Sequence, residues 1–130
     1  MLAVDTNVVV RYLARDDGAQ TARATRLVRT ERILLLKTVL LESEWVLRSG
    51  YGFDGNAIVT SFRGLLGLPT VRVEDEIVVA QALNWFAAGM DFADAMHLAG
   101  GATTGQFATF DRRLAASARR IKAMDVLLLS

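Results

Sequence analysis

The sequence contains no cysteine, one histidine and one proline. Without cysteine, disulfide bonds, thiolate catalysis and cysteine-based zinc sites are excluded, and the composition suits a reducing compartment. Because Pro69 is the single proline and 52% of the residues are hydrophobic, no stretch resembles a disordered or low-complexity tract. We therefore predict one folded domain over residues 1–130, long enough to bury about two thirds of the surface of its unfolded chain.

Long apolar runs and a strong net charge are also missing. The apolar runs are far shorter than the roughly 20 residues that span a bilayer, and the amino terminus lacks a secretion signal. We therefore expect a soluble, cytoplasmic protein with no membrane partner. The net charge of +1 gives no global field that would indicate a nucleic-acid binder. Of the fifteen basic residues only Lys37 and Lys122 are lysine; arginine binds phosphate in a fork, although a GC-rich genome explains the bias more simply.

Short apolar segments alternate with helical patterns along the whole chain. The predicted strands cover residues 2–4, 33–36, 69–73, 106–109 and 126–129, and the first and last are expected to be buried. The predicted helices cover residues 6–13, 19–30, 38–49, 54–66, 76–88, 91–100 and 111–122. This alternation favours a parallel sheet with helices on both faces, joined by right-handed crossovers.

Two aspartates directly follow predicted strands. Asp5 comes after the first strand, and Asp111 follows the strand that ends at Thr109. In open α/β sheets the ligand crevice lies beyond the carboxyl ends of the strands, so both carboxylates are placed for chemistry. Either residue could instead cap the helix that it precedes, and for Asp5 taken alone the cap is the better interpretation.

Two glutamates lie two residues apart in the predicted helix 38–49, so they point to opposite sides. Glu44 is four residues before Arg48, and a surface ion pair explains it. Glu42 shares its side with Val39 and Trp45, where an acid needs a partner. We therefore predict a functional role for Glu42 rather than for Glu44.

The segment from Gly89 to His97 carries two further acids. Asp91 is placed to cap a helix, and Asp94 follows at the third helical position, where an acid favours the helix dipole. Capping explains Asp91 fully but leaves Asp94 on the inward side. The lone histidine, His97, is interpreted as a packed or surface residue.

Four carboxylates at one sheet edge would repel one another unless a cation neutralised them. Ligands that offer only oxygen select a hard ion such as Mg²⁺ or Mn²⁺, which typically works on phosphate esters.

The motifs together resemble the PIN-domain nucleases, specifically the VapC-like toxins of toxin-antitoxin pairs. The resemblance rests on the segments Asp5-Thr-Asn7, Glu42 with Trp45, Asp91 to His97, and Thr109-Phe-Asp111. It implies a three-layer α/β/α fold with a central parallel sheet of four to five strands, and a metal-dependent endoribonuclease that uses Mg²⁺ or Mn²⁺. It also implies an RNA substrate, a cognate antitoxin and a homodimer.

The resemblance assigns a role to each matching residue. The catalytic and metal-binding acids would be Asp5, Glu42, Asp94 and Asp111, with Asp91 as a less certain fifth acid and with Asn7 and Thr109 as polar support.

In the mechanism that we expect, Arg11, Arg15, Arg112 or Arg113 would hold the RNA backbone. A PIN-fold nuclease of RNA processing and a non-catalytic partner-binding α/β domain remain alternatives. A phosphoacceptor receiver domain is disfavoured because the third predicted strand ends in Val73-Glu74-Asp75 and no lysine follows a late strand. Dinucleotide binding is disfavoured because no Gly-x-Gly-x-x-Gly follows Val4.

Overall fold

The computed structural model describes residues 1–130 and confirms the predicted alternation of strands and helices. The strands are β1 (Leu2–Ala3), β2 (Ile33–Leu35), β3 (Val71–Val73), β4 (Gln106–Thr109) and β5 (Asp125–Leu128). The helices are α1 (Thr6–Ala14), α2 (Gly18–Thr30), α3 (Lys37–Tyr51), α4 (Gly55–Leu66), α5 (Glu76–Ala87), α6 (Phe92–Gly100) and α7 (Arg112–Ile121), with a 3₁₀ turn at Ala102–Thr104. None of the helices combines the length and the apolarity that a bilayer crossing demands.

The backbone divides into two compact units, Met1–Glu76 and Ile77–Ser130. In the first unit, β1, β2 and β3 form a parallel sheet in that order, with Leu2 opposite Ile33 and Ile33 opposite Val71. Helix α1 packs against α2 and α3, while α4 packs against α3 and β3. Leu40, Leu47 and Phe62 are completely buried, so the core of this unit lies where its helices meet.

The first strand differs from its prediction. β1 has only two residues, pairs with β2 alone and leaves Leu2 44% exposed. The expectation of a central strand buried on both faces was wrong, because the strand ends before Val4 and only that residue is buried.

In the second unit, β4 and β5 form a two-stranded parallel sheet, and α7 packs against both strands. Phe92 and Leu98 of α6 are completely buried, and Leu114 of α7 is nearly so. The prediction that the last strand is buried was wrong, because Leu127 and Leu128 are 46% and 42% exposed. Neighbouring residues of a strand point to opposite faces, so neither face of β5 is fully covered at this end.

The five strands thus form one three-stranded sheet and one two-stranded sheet, and every strand pair is parallel. Aspartates cap several of the intervening helices as predicted: Asp54 accepts a hydrogen bond from the backbone N–H of Ala57 at 2.8 Å. Helix α3 begins one residue earlier than predicted, after Leu36, whose side chain makes no capping bond. The rotation of this helix decides which of its acids faces solvent.

Candidate metal-binding carboxylates

Asp5 and Glu42 line the same cleft in the first unit. The cleft has a volume of about 230 Å³, and Thr6, Asn7 and Val46 complete its wall. Glu42 Oε1 accepts a hydrogen bond from the buried hydroxyl of Thr6, which joins α3 to the start of α1. The carboxylate of Asp5 caps α1, because its Oδ1 accepts a hydrogen bond from the backbone N–H of Val8 at 3.2 Å. Asp5 therefore caps α1, which is one of the two interpretations drawn from the sequence, and it also lines the cleft.

The burial of the two glutamates in α3 is the reverse of the prediction. Glu44 is only 4% exposed and accepts a hydrogen bond from Arg48 Nε at 2.7 Å, whereas Glu42 is exposed. The expected surface pair is thus a partly buried one, and Trp45, expected on the apolar side, is 58% exposed. Glu42 reaches its cleft from the solvent side of the helix, with Thr6 as its partner.

Asp94 is the acid of the second unit with the clearest electrostatic perturbation. Burial raises the pKa of its half-buried carboxyl, and the nearby charges of Asp91 and Asp111 raise it further. His97 and Arg113 act in the opposite direction with smaller effect. The cluster of Asp91, Asp94 and Asp111 therefore favours a proton or another cation at Asp94.

The neighbours of Asp94 are held by helix caps. Asp91 Oδ2 accepts a hydrogen bond from the backbone N–H of Asp94 at 3.1 Å, which starts α6 as predicted. Asp111 Oδ1 accepts from the backbone N–H groups of Arg113 at 2.8 Å and Leu114 at 3.1 Å. Thr109 Oγ1 in turn accepts from the backbone N–H of Asp111 at 2.9 Å. Both acids are fixed by local hydrogen bonds.

The PIN-domain sequence model matches residues 2–120, which include every acid described above. The chain belongs to the PIN-domain family. This membership confirms the resemblance drawn from the motifs, the α/β fold class, and the ribonuclease class with its divalent metal ion. A solved structure that matches is that of the VapC20 toxin of Mycobacterium tuberculosis, described as Sarcin-Ricin loop cleaving, with 23% identity over 90% of this chain and 95% of that chain and a TM-score of 0.45. No curated protein sequence matches the chain.

The candidate acids of this PIN domain offer the oxygen donors that a hard divalent cation prefers, although they do not stand close enough together here to hold one. The candidate acids carry only oxygen donors: Asp5 and Glu42 lie in the first unit, and Asp91, Asp94 and Asp111 lie in the second. No group of three or more histidine, aspartate or glutamate side chains stands close enough to hold a metal ion. The repulsion that raises the pKa of Asp94 is the kind that a bound cation would relieve.

The arginines that were predicted to hold RNA differ in how many contacts they already make within the protein. Arg11, one of the predicted RNA-holding residues, is engaged by Asp16 at 3.1 Å, by Gln20 at 2.6 Å and by Tyr51 at 3.0 Å. Arg15 ends α1 in a left-handed conformation, with its guanidinium 5.8 Å from the ring centroid of Tyr12.

The remaining predicted residues are more open. Arg112 and Arg113 at the start of α7 are exposed and enter no ion pair. The exposed position of His97 agrees with the interpretation of this histidine as a packed or surface residue. The role of Thr6 as the hydrogen-bond partner of Glu42 was not predicted. The signal that could have indicated it was the position of Thr6 between Asp5 and Asn7 in the motif.

Proposed function

We propose that this PIN domain acts as the toxin of a toxin-antitoxin pair, cutting RNA phosphodiesters at a site formed by Asp5, Glu42, Asp94 and Asp111. The observation that carries the proposal is the like-charge cluster around Asp94, whose pKa is raised by burial and by two neighbouring carboxylates. Perturbed acids of this kind concentrate at functional sites. Helix caps alone do not explain Asp94, which caps nothing.

Asp5, Asp94 and Asp111 would hold Mg²⁺, or Mn²⁺ in its place. When bound, such an ion lowers the pKa of water and stabilises charge on phosphate oxygens. Asp91 is the fifth candidate ligand, and its capping bond supports a mainly structural role.

Other residues of the chain would bind or orient the water, the acids and the substrate. Glu42 would bind or orient the attacking water, and the Thr6 hydroxyl would fix one of its oxygens. Thr109 would hold Asp111 through its backbone N–H. Asn7, in the wall of the cleft, would offer a neutral amide to the substrate.

The partners that we propose follow from the VapC-like resemblance. They are an RNA substrate, a cognate antitoxin and a second copy of the chain, with the cytoplasm as the compartment. A PIN nuclease of RNA processing would share the chemistry and lack the antitoxin. A non-catalytic domain is supported by the capping bonds of Asp5, Asp91 and Asp111, so the test must separate capping from catalysis.

The test is cleavage of labelled RNA by the purified protein with Mg²⁺, Mn²⁺ or chelator, followed by sequencing of RNA ends after induction in cells. Wild type should cut, and Glu42→Gln should not. Glu31→Gln is the matched control, because this exposed glutamate precedes β2 whereas Asp5 follows β1, so the two lie at opposite ends of these parallel strands. Cleavage by Glu42→Gln at the wild-type rate would reject the proposed site, and cleavage without growth arrest would favour RNA processing.

A further inference from the structure

A second cleft adjoins the Asp5 and Glu42 cleft in the first unit. It has a volume of about 410 Å³ and lies between α1 and α2. Its lining residues are Asn7, Val8, Arg11, Gln20, Arg23, Ala24 and Leu27. Asn7 also lines the carboxylate cleft, so the two clefts share a wall. A ligand that occupied one cleft could extend past Asn7 into the other.

The larger cleft combines an apolar surface with two arginines. Val8, Ala24 and Leu27 supply its apolar part, and Ala24 is buried. Arg11 is held in place by hydrogen bonds with Asp16, Gln20 and Tyr51. Its guanidinium also forms an ion pair with the carboxylate of Asp16. Arg23 is exposed and enters no hydrogen bond or ion pair, so its guanidinium remains available for a ligand.

The charge of α2 indicates what kind of ligand fits. The helix contains Arg23, Arg26 and Arg29 and no acidic residue. These arginines are spaced three residues apart, so successive ones are neighbours on the helix surface. All three are exposed, and none forms a salt bridge. An uncompensated row of arginines attracts a polyanion, and its forked donors match phosphate oxygens.

We propose that the cleft between α1 and α2 binds the RNA strand next to the bond that is cut. A base would rest against Val8 and Leu27, and Arg23 would bind the adjacent phosphate, with Arg26 reaching the next one. This inference rests on the proposed function, because it places a substrate beside the Asp5 and Glu42 cleft. The charge of α2 favours RNA over an apolar protein segment as the occupant.

The experiment measures binding of a fluorescent single-stranded RNA to the full chain in chelator, where cleavage is stopped. Affinity is followed from about 50 to 200 mM salt for wild type, Arg23→Gln and the double variant Arg23→Gln/Arg26→Gln. For single strands the slope of log affinity against log salt should fall by about 0.7 for each phosphate that the variant no longer binds. Arg72→Gln is the control, since Arg72 is an exposed, unpaired arginine of β3 outside the cleft.

The expected result is a lower affinity and a flatter slope for the cleft variants, at an unchanged melting temperature, and no change for Arg72→Gln. Arg23→Lys should restore the slope, because it restores the charge. If wild type cuts RNA while both cleft variants keep its affinity and slope, the cleft inference fails and the proposed function stands. If wild type neither binds nor cuts RNA, the proposed function itself fails. If the variants lose only the binding of an antitoxin protein, the cleft is a protein-docking surface and the inference is overturned.

Discussion

At the scale of single residues, Asp94 is the acid at which we expect protonation, metal binding and stability to be coupled. Its pKa is raised from 3.8 in the folded protein, so without metal the free energy of unfolding should fall as pH rises from 3.8 through the raised pKa. Asp94→Asn removes this penalty. In chelator we expect this variant to melt above wild type near neutral pH and to lose the advantage in acid, while cleavage is abolished. A lower melting temperature with full cleavage would contradict this.

Asp91 differs from Asp94 because its carboxylate already has a structural task. Serine can also accept the backbone N–H bond at the start of α6, so Asp91→Ser should keep the fold and most of the cleavage activity. Asp91→Ala should lower the free energy of unfolding by about 1 kcal/mol through loss of the cap. Denaturant unfolding and cleavage assays of both variants test this assignment. If Asp91→Ser is inactive although it is folded, Asp91 is a direct ligand.

The two glutamates of α3 should respond in opposite ways to the same change. Glu42→Gln removes an exposed carboxylate and should abolish cleavage with little loss of stability. Glu44→Ala removes the buried acceptor of Arg48 and should cost about 1–3 kcal/mol while cleavage by the folded protein persists. Urea unfolding and RNA cleavage measured on the same preparations distinguish the two effects. An inactive, fully stable Glu44→Ala would show that the assignment is reversed.

At the scale of elements, a polar network joins α1, the turn before α2 and the last residue of α3. Its members are Arg11, Asp16 and Tyr51. The pKa of Asp16 is lowered, first by its hydrogen bond with Tyr51 and then by Arg11, so its contribution to stability exists above 3.8 and is lost in stronger acid. The pKa of Tyr51 is raised from 10.0, chiefly by Asp16, so its contribution is lost as pH rises beyond 10.0.

Tyr51→Phe should therefore melt below wild type at neutral pH, and the difference should shrink in acid below 3.8 and in alkali above 10.0. Melting temperatures measured across this pH range test the network. Tyr12→Phe is the control, because Tyr12 meets Arg15 through its ring rather than its hydroxyl. A gap between Tyr51→Phe and wild type that stays constant at every pH would show that packing, not the network, stabilises this junction.

Some elements were predictable because their signals are local. The aspartates before α4, α6 and α7 bond to backbone N–H groups three or fewer residues away, so the sequence alone indicates where these helices begin. The rotation of α3 and the exposure of β1 and β5 depend on residues distant in the chain. An apolar run or the phase of a helix can suggest which residues are buried, but the packing of neighbouring elements decides their burial. In α3 this packing buries Glu44 and exposes Glu42, the reverse of the prediction.

At the scale of the whole molecule, the acids that we propose for the site are spread along the chain from Asp5 to Asp111. The family could be predicted because the motif pattern spans the chain, and the family model over residues 2–120 confirms it. The assignment of these acids to one site stays a prediction. If Asp5 is a ligand of the ion, Mg²⁺ at a hundredfold excess over its dissociation constant should stabilise the fold by about 2.7 kcal/mol. Asp5→Asn should lose most of this gain. Melting curves with and without Mg²⁺ measure it, and equal shifts for both proteins would exclude Asp5 as a ligand.

Because Trp45 is exposed, its intrinsic fluorescence can report on binding near Glu42. Trp45 is 58% exposed and lies one helical turn from Glu42, whereas the other tryptophan, Trp85, is half-buried in α5. The indole of Trp45 should emit at the longer wavelength and should be the one that a soluble quencher reaches first. A molecule that covers α3 beside the carboxylate cleft would shift that emission to the blue and shield it from the quencher, so occupancy near Glu42 can be read in solution without a label.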